Sequence, residues 1–248
     1  MPATCHPAQT QQNHDKSFEH TAREAVYHAI FGRRDVRSHF SPEPLEDAVL
    51  ARLLTAAHHA PSVGYMQPWN FIVIRDMARR ERMRDLFFAA REQELPNIAA
   101  ERQALYRKLK LEGICESAVN LCITCDRSRA QNSPLGRWHN PQMDLYSTVC
   151  AVQNFWLAAR AEGVGVGWVS ILDERAVKRE LEIPAHVAPV AYLCVGRVSQ
   201  FANRPDLEEK GWGSRLPLPG LIMSETFGGS GEAALKDAVL RGFPSLRS

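Results

Sequence analysis

Long apolar runs are missing from this chain: no stretch of its 248 residues approaches the roughly 18 consecutive apolar positions that a membrane-crossing helix requires. A surplus of either charge is missing too. With 30 Lys and Arg against 28 Asp and Glu, the net charge of +2 gives no reason to expect nucleic acid or an anionic membrane as a partner. Residues 1–17 carry Pro, Gln, Asn, Thr and His but no apolar core of roughly 7 to 15 residues, so a disordered tail is expected rather than a secretory signal, and a cytoplasmic address. There is no P-loop, no HExxH and no GxSxG. Gly163, Gly165 and Gly167 imitate a dinucleotide fingerprint, yet they follow a helical segment and lead into a strand, the reverse of what pyrophosphate binding at a helix N-terminus needs.

Cysteine and histidine offer little to a metal. Cys122 and Cys125 have CxxC spacing, but they sit in the β-prone run Val119–Cys125, where residues three apart point to opposite faces of a strand. Two ligands facing apart cannot share a zinc, and there is no second CxxC, so buried, reduced core thiols are expected. His58 and His59 are neighbours about 100° apart on a helix, poor joint ligands. No metal is expected.

What remains is an ordinary soluble composition, 45% hydrophobic and 23% charged, long enough for a substantial core. The expectation is one domain over residues 18–248. Helical spacing predicts a helix over 18–31, a second opening at Ser41-Pro42-Glu43 and ending near His59, and a buried central helix from Met143 to Ala161. Strands are expected at 69–74, 119–125 and 188–196, with the Gly-rich segment from Gly163 leading into a further strand. Residues 77–113 are rich in charge, interrupted by Pro96, and are expected to offer little to a core; they read as a lid. After Arg197 the chain turns to Pro, Gly and Trp until a last short helix near 232–240, an extended arm that usually wraps its own domain or a twin. Helices alternating with few strands indicate an α/β or α+β fold.

The basic character of the chain is local. Arg33, Arg34 and Arg37 crowd into five residues around Asp35. If the run is helical, Arg33 and Arg37 stand one turn apart, and at about 6 Å each like-charge pair costs roughly 0.7 kcal/mol in water and roughly 3 at an effective dielectric of 20. A bound phosphate turns that repulsion into attraction, and the planar guanidinium grips phosphate oxygens two at a time. A solvated basic turn is the plainer reading of the same residues.

With this run, the segment Ala60-Pro61-Ser62 followed by Gln67-Pro68-Trp69 and Phe71, and the Gly-rich turn after a buried helix, residues 18–220 resemble the nitroreductase-like flavoproteins. That resemblance implies an α+β fold, a mostly antiparallel sheet sandwiched by helices, in an intertwined homodimer with FMN at each subunit interface. It also implies that Arg33, Arg34, Asp35, Val36 and Arg37 hold the phosphate and ribityl end. Pro61, Ser62 and Gln67 would line the isoalloxazine or its partner-subunit edge, while the turn from Gly165 to Ile171 passes over the ring with a backbone N–H toward N5.

Two departures bring the chain nearest to the BluB-type 5,6-dimethylbenzimidazole synthases of that family: Asp35 stands where Ser is frequent, and the turn ends in Gly167-Trp168-Val169-Ser170 rather than a Glu-Gly pair. This likeness implies that Asp35 and Ser170 are the catalytic pair, that the segment 90–113 closes over the flavin, and that FMNH2 is the substrate. O2 is the co-substrate, a flavin reductase or NAD(P)H system supplies the FMNH2, and the products are dimethylbenzimidazole and erythrose 4-phosphate. Flanking guanidiniums favour the charged form of a carboxylate, which leaves it available as a base. Asp35 as a spacer between arginines and Ser170 as a simple loop hydroxyl are the plainer alternatives. A conventional NAD(P)H-dependent nitroreductase or flavin reductase, and a flavin carrier without catalysis, are the rival functions.

Overall fold

Eight consecutive residues, Val119–Asp126, form strand β2, buried along nearly its whole length, as only a central strand can be. It pairs antiparallel on one side with β1 (Trp69–Ile74) and on the other with β4 (Val187–Arg197), which pairs in turn with β3 (Val164–Val169). The sheet order is β1-β2-β4-β3. These positions come from a computed structural model that describes residues 17–129 and 135–242. The expected tail lies outside the described residues apart from Ser17, and so do Cys5 and Pro134.

The chain divides into two compact units. The larger holds residues 1–96 and 110–203, including the whole sheet. One sheet face, through Leu121, Ile123, Leu193 and Val195, packs on α2 (Asp47–His58) and α5 (Met143–Ala161), with Leu53 and Phe155 fully buried between them. The other face, through Ile74, Cys122, Tyr192 and Cys194, packs on α3 (Met77–Glu94) and α6 (Glu174–Glu180). The period of two along β2 thus sends Cys122 to one layer while Cys125, near Thr148 of α5, faces the other. Burial pushes the Cys122 thiol up to about 12. Helices on both faces of an antiparallel sheet give the α+β fold expected from the resemblance. Helix α1 (His20–Gly32) precedes all of this and buries none of its residues.

The smaller unit comprises residues 97–109 and 204–248. Within it, Arg102 of α4 (Ala100–Lys108) lies 3.9 Å over the Trp212 ring and hydrogen-bonds the Trp212 carbonyl, while Tyr106 packs 6.0 Å from the same indole. The short α7 (Asp206–Glu209) and the final α8 (Ala233–Arg241) complete it.

Three expectations need correction. Helix α2 begins at Asp47, not at Pro42, because Pro44 keeps Glu43 out of helical backbone and Ser41 N–H is already bound to the Arg197 carbonyl at 2.8 Å. Helix α3 contributes to the core despite its charge: Met83 and Phe87 are fully buried, and Arg80 is buried as well, donating to the carbonyls of Ile114 and Ser117. Helix α5 is not buried nearly all round, since Tyr146 is 53% and Val149 41% exposed along one stripe.

The α3 correction is testable by thermal melts. Phe87→Ala should cost about 3–5 kcal/mol and lower Tm by roughly 10 °C. The adjacent Phe88, 45% exposed, should lose less than about a third of that on the same change. Equal effects would contradict the packing.

Candidate functional site

The arginine run begins where α1 ends. Arg33 is already extended (φ −63°, ψ 136°), so the run is not helical, and the one-turn spacing of Arg33 and Arg37 does not occur. Two side chains of α5 take up carbonyls freed at this exit: Arg160 Nε donates to Gly32 O at 3.0 Å and Trp156 Nε1 to Arg34 O at 3.2 Å. Neighbouring residues then point opposite ways, and the three arginines part company.

Arg34 turns to its own backbone surroundings. Its guanidinium donates to the carbonyls of Phe31 and Arg33 at 2.8 Å, Ala202 at 2.9 Å and Asn203 at 2.6 Å. Arg34 therefore clamps the loop, its guanidinium engaged with four backbone carbonyls. Arg33 lies 4.7 Å over the Trp156 ring and makes no hydrogen bond or ion pair among the described residues. Arg37 pairs with Asp35 Oδ2 at 2.6 Å, and its Nε is buried without any partner. A buried donor without an acceptor is costly to leave that way. A polyanion such as the phosphate of FMN fits these two guanidiniums.

Asp35 and Val36 run alongside the edge of β3. Asp35 bridges Val166 in parallel, and Val36 N–H donates to Val166 O at 2.9 Å, so the Val36 amide is spent on the sheet. Asp35 Oδ1 accepts from Trp168 N–H at 2.9 Å. This approach needs glycine: a Cβ on Gly167 would collide with the Val36 carbonyl oxygen, and one on Gly165 with the Val198 side chain. The expected Gly165–Ile171 turn is thus strand up to Val169, where Gly167 makes room for the protein's own backbone and Gly165 for the Val36 and Val198 side chains. Only Ser170 and Ile171 lie in the loop that follows. Ser170 is exposed, its hydroxyl unbonded among the described residues, and it lies two residues past the amide that holds Asp35, about 7 Å along the backbone.

Pro61, Ser62 and Gln67 form a second group. Ser62 Oγ accepts from Gln67 N–H at 3.1 Å, and Val63 N–H donates to Ser147 Oγ of α5 at 3.1 Å. Gly64, Tyr65 and Gln67 all have left-handed backbone (φ 59°, 53° and 46°), a concentration of strain typical of functional loops. Ser147 and Trp156 are nine residues apart on α5, so this group and the arginine run are anchored about 13 Å from each other within one chain. The structure brings Asp35, Arg37 and the approach to Ser170 together; it does not bring Ser62 and Gln67 to them. Sequence reasoning missed Arg160 and the pinning role of Trp156, whose only signal was an i,i+4 pair on the buried helix.

The Nitroreductase family model matches residues 30–197, which contain all of these groups. The chain belongs to the nitroreductase family. Among curated members of this nitroreductase family, the 5,6-dimethylbenzimidazole synthase of Rhodospirillum rubrum is 43% identical over 202 residues, covering 82% of this chain and 95% of that protein. Two solved structures share the fold. Oxidised iodotyrosine deiodinase bound to FMN and 3-iodo-L-tyrosine aligns with a TM-score of 0.61 at 20% identity, over 72% of this chain and 92% of that one. A BluB-like flavoprotein from Clostridium difficile aligns with a TM-score of 0.60 at 18% identity, over 81% and 99%.

The glycine requirement predicts that Gly167→Ala displaces the Asp35–Val36 segment from β3. Flavin affinity should fall at least tenfold and Tm should drop, as read by fluorescence titration and circular dichroism. A variant that melts and binds like the wild type would overturn this packing argument.

Proposed function

We propose that this protein is a 5,6-dimethylbenzimidazole synthase, which fragments reduced FMN with O2 to form 5,6-dimethylbenzimidazole, the lower ligand of cobalamin, and erythrose 4-phosphate. One observation carries the reading: the arginine run contains an acid, Asp35, whose carboxylate is held by the Trp168 amide two residues short of a free hydroxyl at Ser170. The 43% identity to a protein of that name over nearly its whole length supports it.

Arg33 and Arg37 would hold the phosphate and ribityl end, with Arg34 clamping the loop that carries them. Reduced FMN supplies both the carbon skeleton of the product and the electrons that O2 takes up. Asp35 then has a specific task. Its Oδ1 is fixed by an amide N–H, while Oδ2 is held by Arg37, so the carboxylate is oriented without being buried and can take a proton from the ribityl C1′. Ser170 would give or relay a proton at N5. Ile171 and the Pro61, Ser62 and Gln67 group would line the ring, the latter from the partner subunit.

A homodimer follows from the same reading. Helix α1 has no fully buried residue, α5 exposes Tyr146 and Val149, and β1 is a sheet edge, all surfaces a second copy would cover. No described helix is long and apolar enough to cross a membrane. A flavin reductase or other NAD(P)H-driven system would supply the FMNH2.

Incubation with FMNH2 and air, without a nitro compound, separates the possibilities by mass spectrometry. Appearance of dimethylbenzimidazole with loss of flavin supports the synthase; recovery of intact oxidised FMN would reject it in favour of a reductase or carrier. Asp35→Asn should keep FMNH2 affinity and lower product formation by about 10²-fold or more. Arg37→Ala should instead weaken flavin binding roughly 10- to 150-fold, the worth of a charged hydrogen bond. Unchanged turnover in the first, or unchanged affinity in the second, would remove that residue from its role.

A further inference from the structure

Strand β3 stops at Val169, opposite Tyr192, while β4 begins at Val187, so the first residues of β4 have no β3 neighbour on that side. On the other side the β2–β4 register skips Val190, between the pairs Ile123–Ala191 and Thr124–Pro189, and Pro189 has no N–H to donate. The chain leaves β3 at Ser170 and returns as α6, and a half-open pocket of about 230 Å3 remains beneath the loop. Its walls are Val169, Leu172, Val177, Val190, the Cys122 thiol and the Tyr192 ring.

The chemistry of these walls narrows the ligand. No Lys or Arg lines the pocket, so it has nothing to hold a phosphate. The Tyr192 hydroxyl is spent on Asn120 Oδ1 at 2.8 Å, and the buried Cys122 thiol stays protonated, so neither brings a charge to the pocket. An apolar cavity of about 150 Å3 holds a benzene ring. This one has room for two fused rings. Two polar residues also line it: Ser170, whose hydroxyl can donate, and Glu174, whose carboxylate keeps an accepting oxygen beside its pairing with Lys178 Nζ at 2.8 Å. A neutral benzimidazole presents the complementary pair, one ring nitrogen that accepts and one N–H that donates.

We propose that this pocket is a product site, which receives the free 5,6-dimethylbenzimidazole base beside Ser170, distinct from the arginine cluster that holds the sugar-phosphate end of the substrate. The identity of the base rests on the synthase reading; the size of the pocket, its lack of cations and its polar lining do not.

Calorimetric titration of the full-length protein, with and without FMN, with 5,6-dimethylbenzimidazole tests it. Saturable binding at one site per chain is expected, weakened roughly tenfold for benzimidazole lacking both methyl groups. Leu172→Trp at the mouth and Val177→Phe in the wall should each weaken the base at least tenfold while FMN affinity stays unchanged. No binding by the wild type, or unaltered binding by both variants, would overturn the site. Displacement of the base by FMN, one for one, would overturn its separateness and assign the pocket to the flavin ring. A wild-type protein that binds the base but never produces it from FMNH2 would sink the synthase reading and sustain the pocket.

Discussion

The contact between the Asp35–Val36 backbone and the edge of β3 is what the candidate site depends on. It is made possible by Gly165 and Gly167, fixed by the Val36 N–H to Val166 O bond, and read out by the Trp168 amide that orients Asp35. Because the segment is extended, side chains alternate, and that alternation separates a clamp, Arg34, from Arg33 and Arg37. Three guanidiniums crowded in sequence thereby avoid sharing one face.

Helix α5 is the beam behind both halves of the site. From its C-terminal half, Trp156 and Arg160 seize the carbonyls released at the end of α1; from its N-terminal turn, Ser147 holds the strained loop around Tyr65. Its burial against the sheet through Ala151, Val152, Phe155 and Ala159 keeps these anchors at fixed separation. The exposed stripe on the same helix, at Tyr146 and Val149, lies on its outer side.

Much of the fold was legible because it is local. Strand β1 and helix α5 have the expected bounds, since a β-branched and aromatic run and a long apolar helix pattern admit few alternatives. Pro44 was the overlooked signal at α2, and in α3 the many charged residues hid Met83 and Phe87 on the inward face. The Gly-rich segment was legible as a site of close approach, but not what approaches. A glycine in a sequence says that space is required; only the neighbour, here an extended segment more than a hundred residues earlier, says for whom.

From the sequence alone came the element types, the inventory of chemistry around Asp35 and Ser170, and the family those residues resemble, because propensity, periodicity and motif spacing act over a few residues. The tertiary structure decided how that inventory is divided. Arg34 is claimed by carbonyls at Ala202 and Asn203, Arg37 by Asp35, and Asp35 by the amide of Trp168. Most of these partners lie far along the chain, and no local pattern can announce a hydrogen bond whose other half arrives only when the sheet closes.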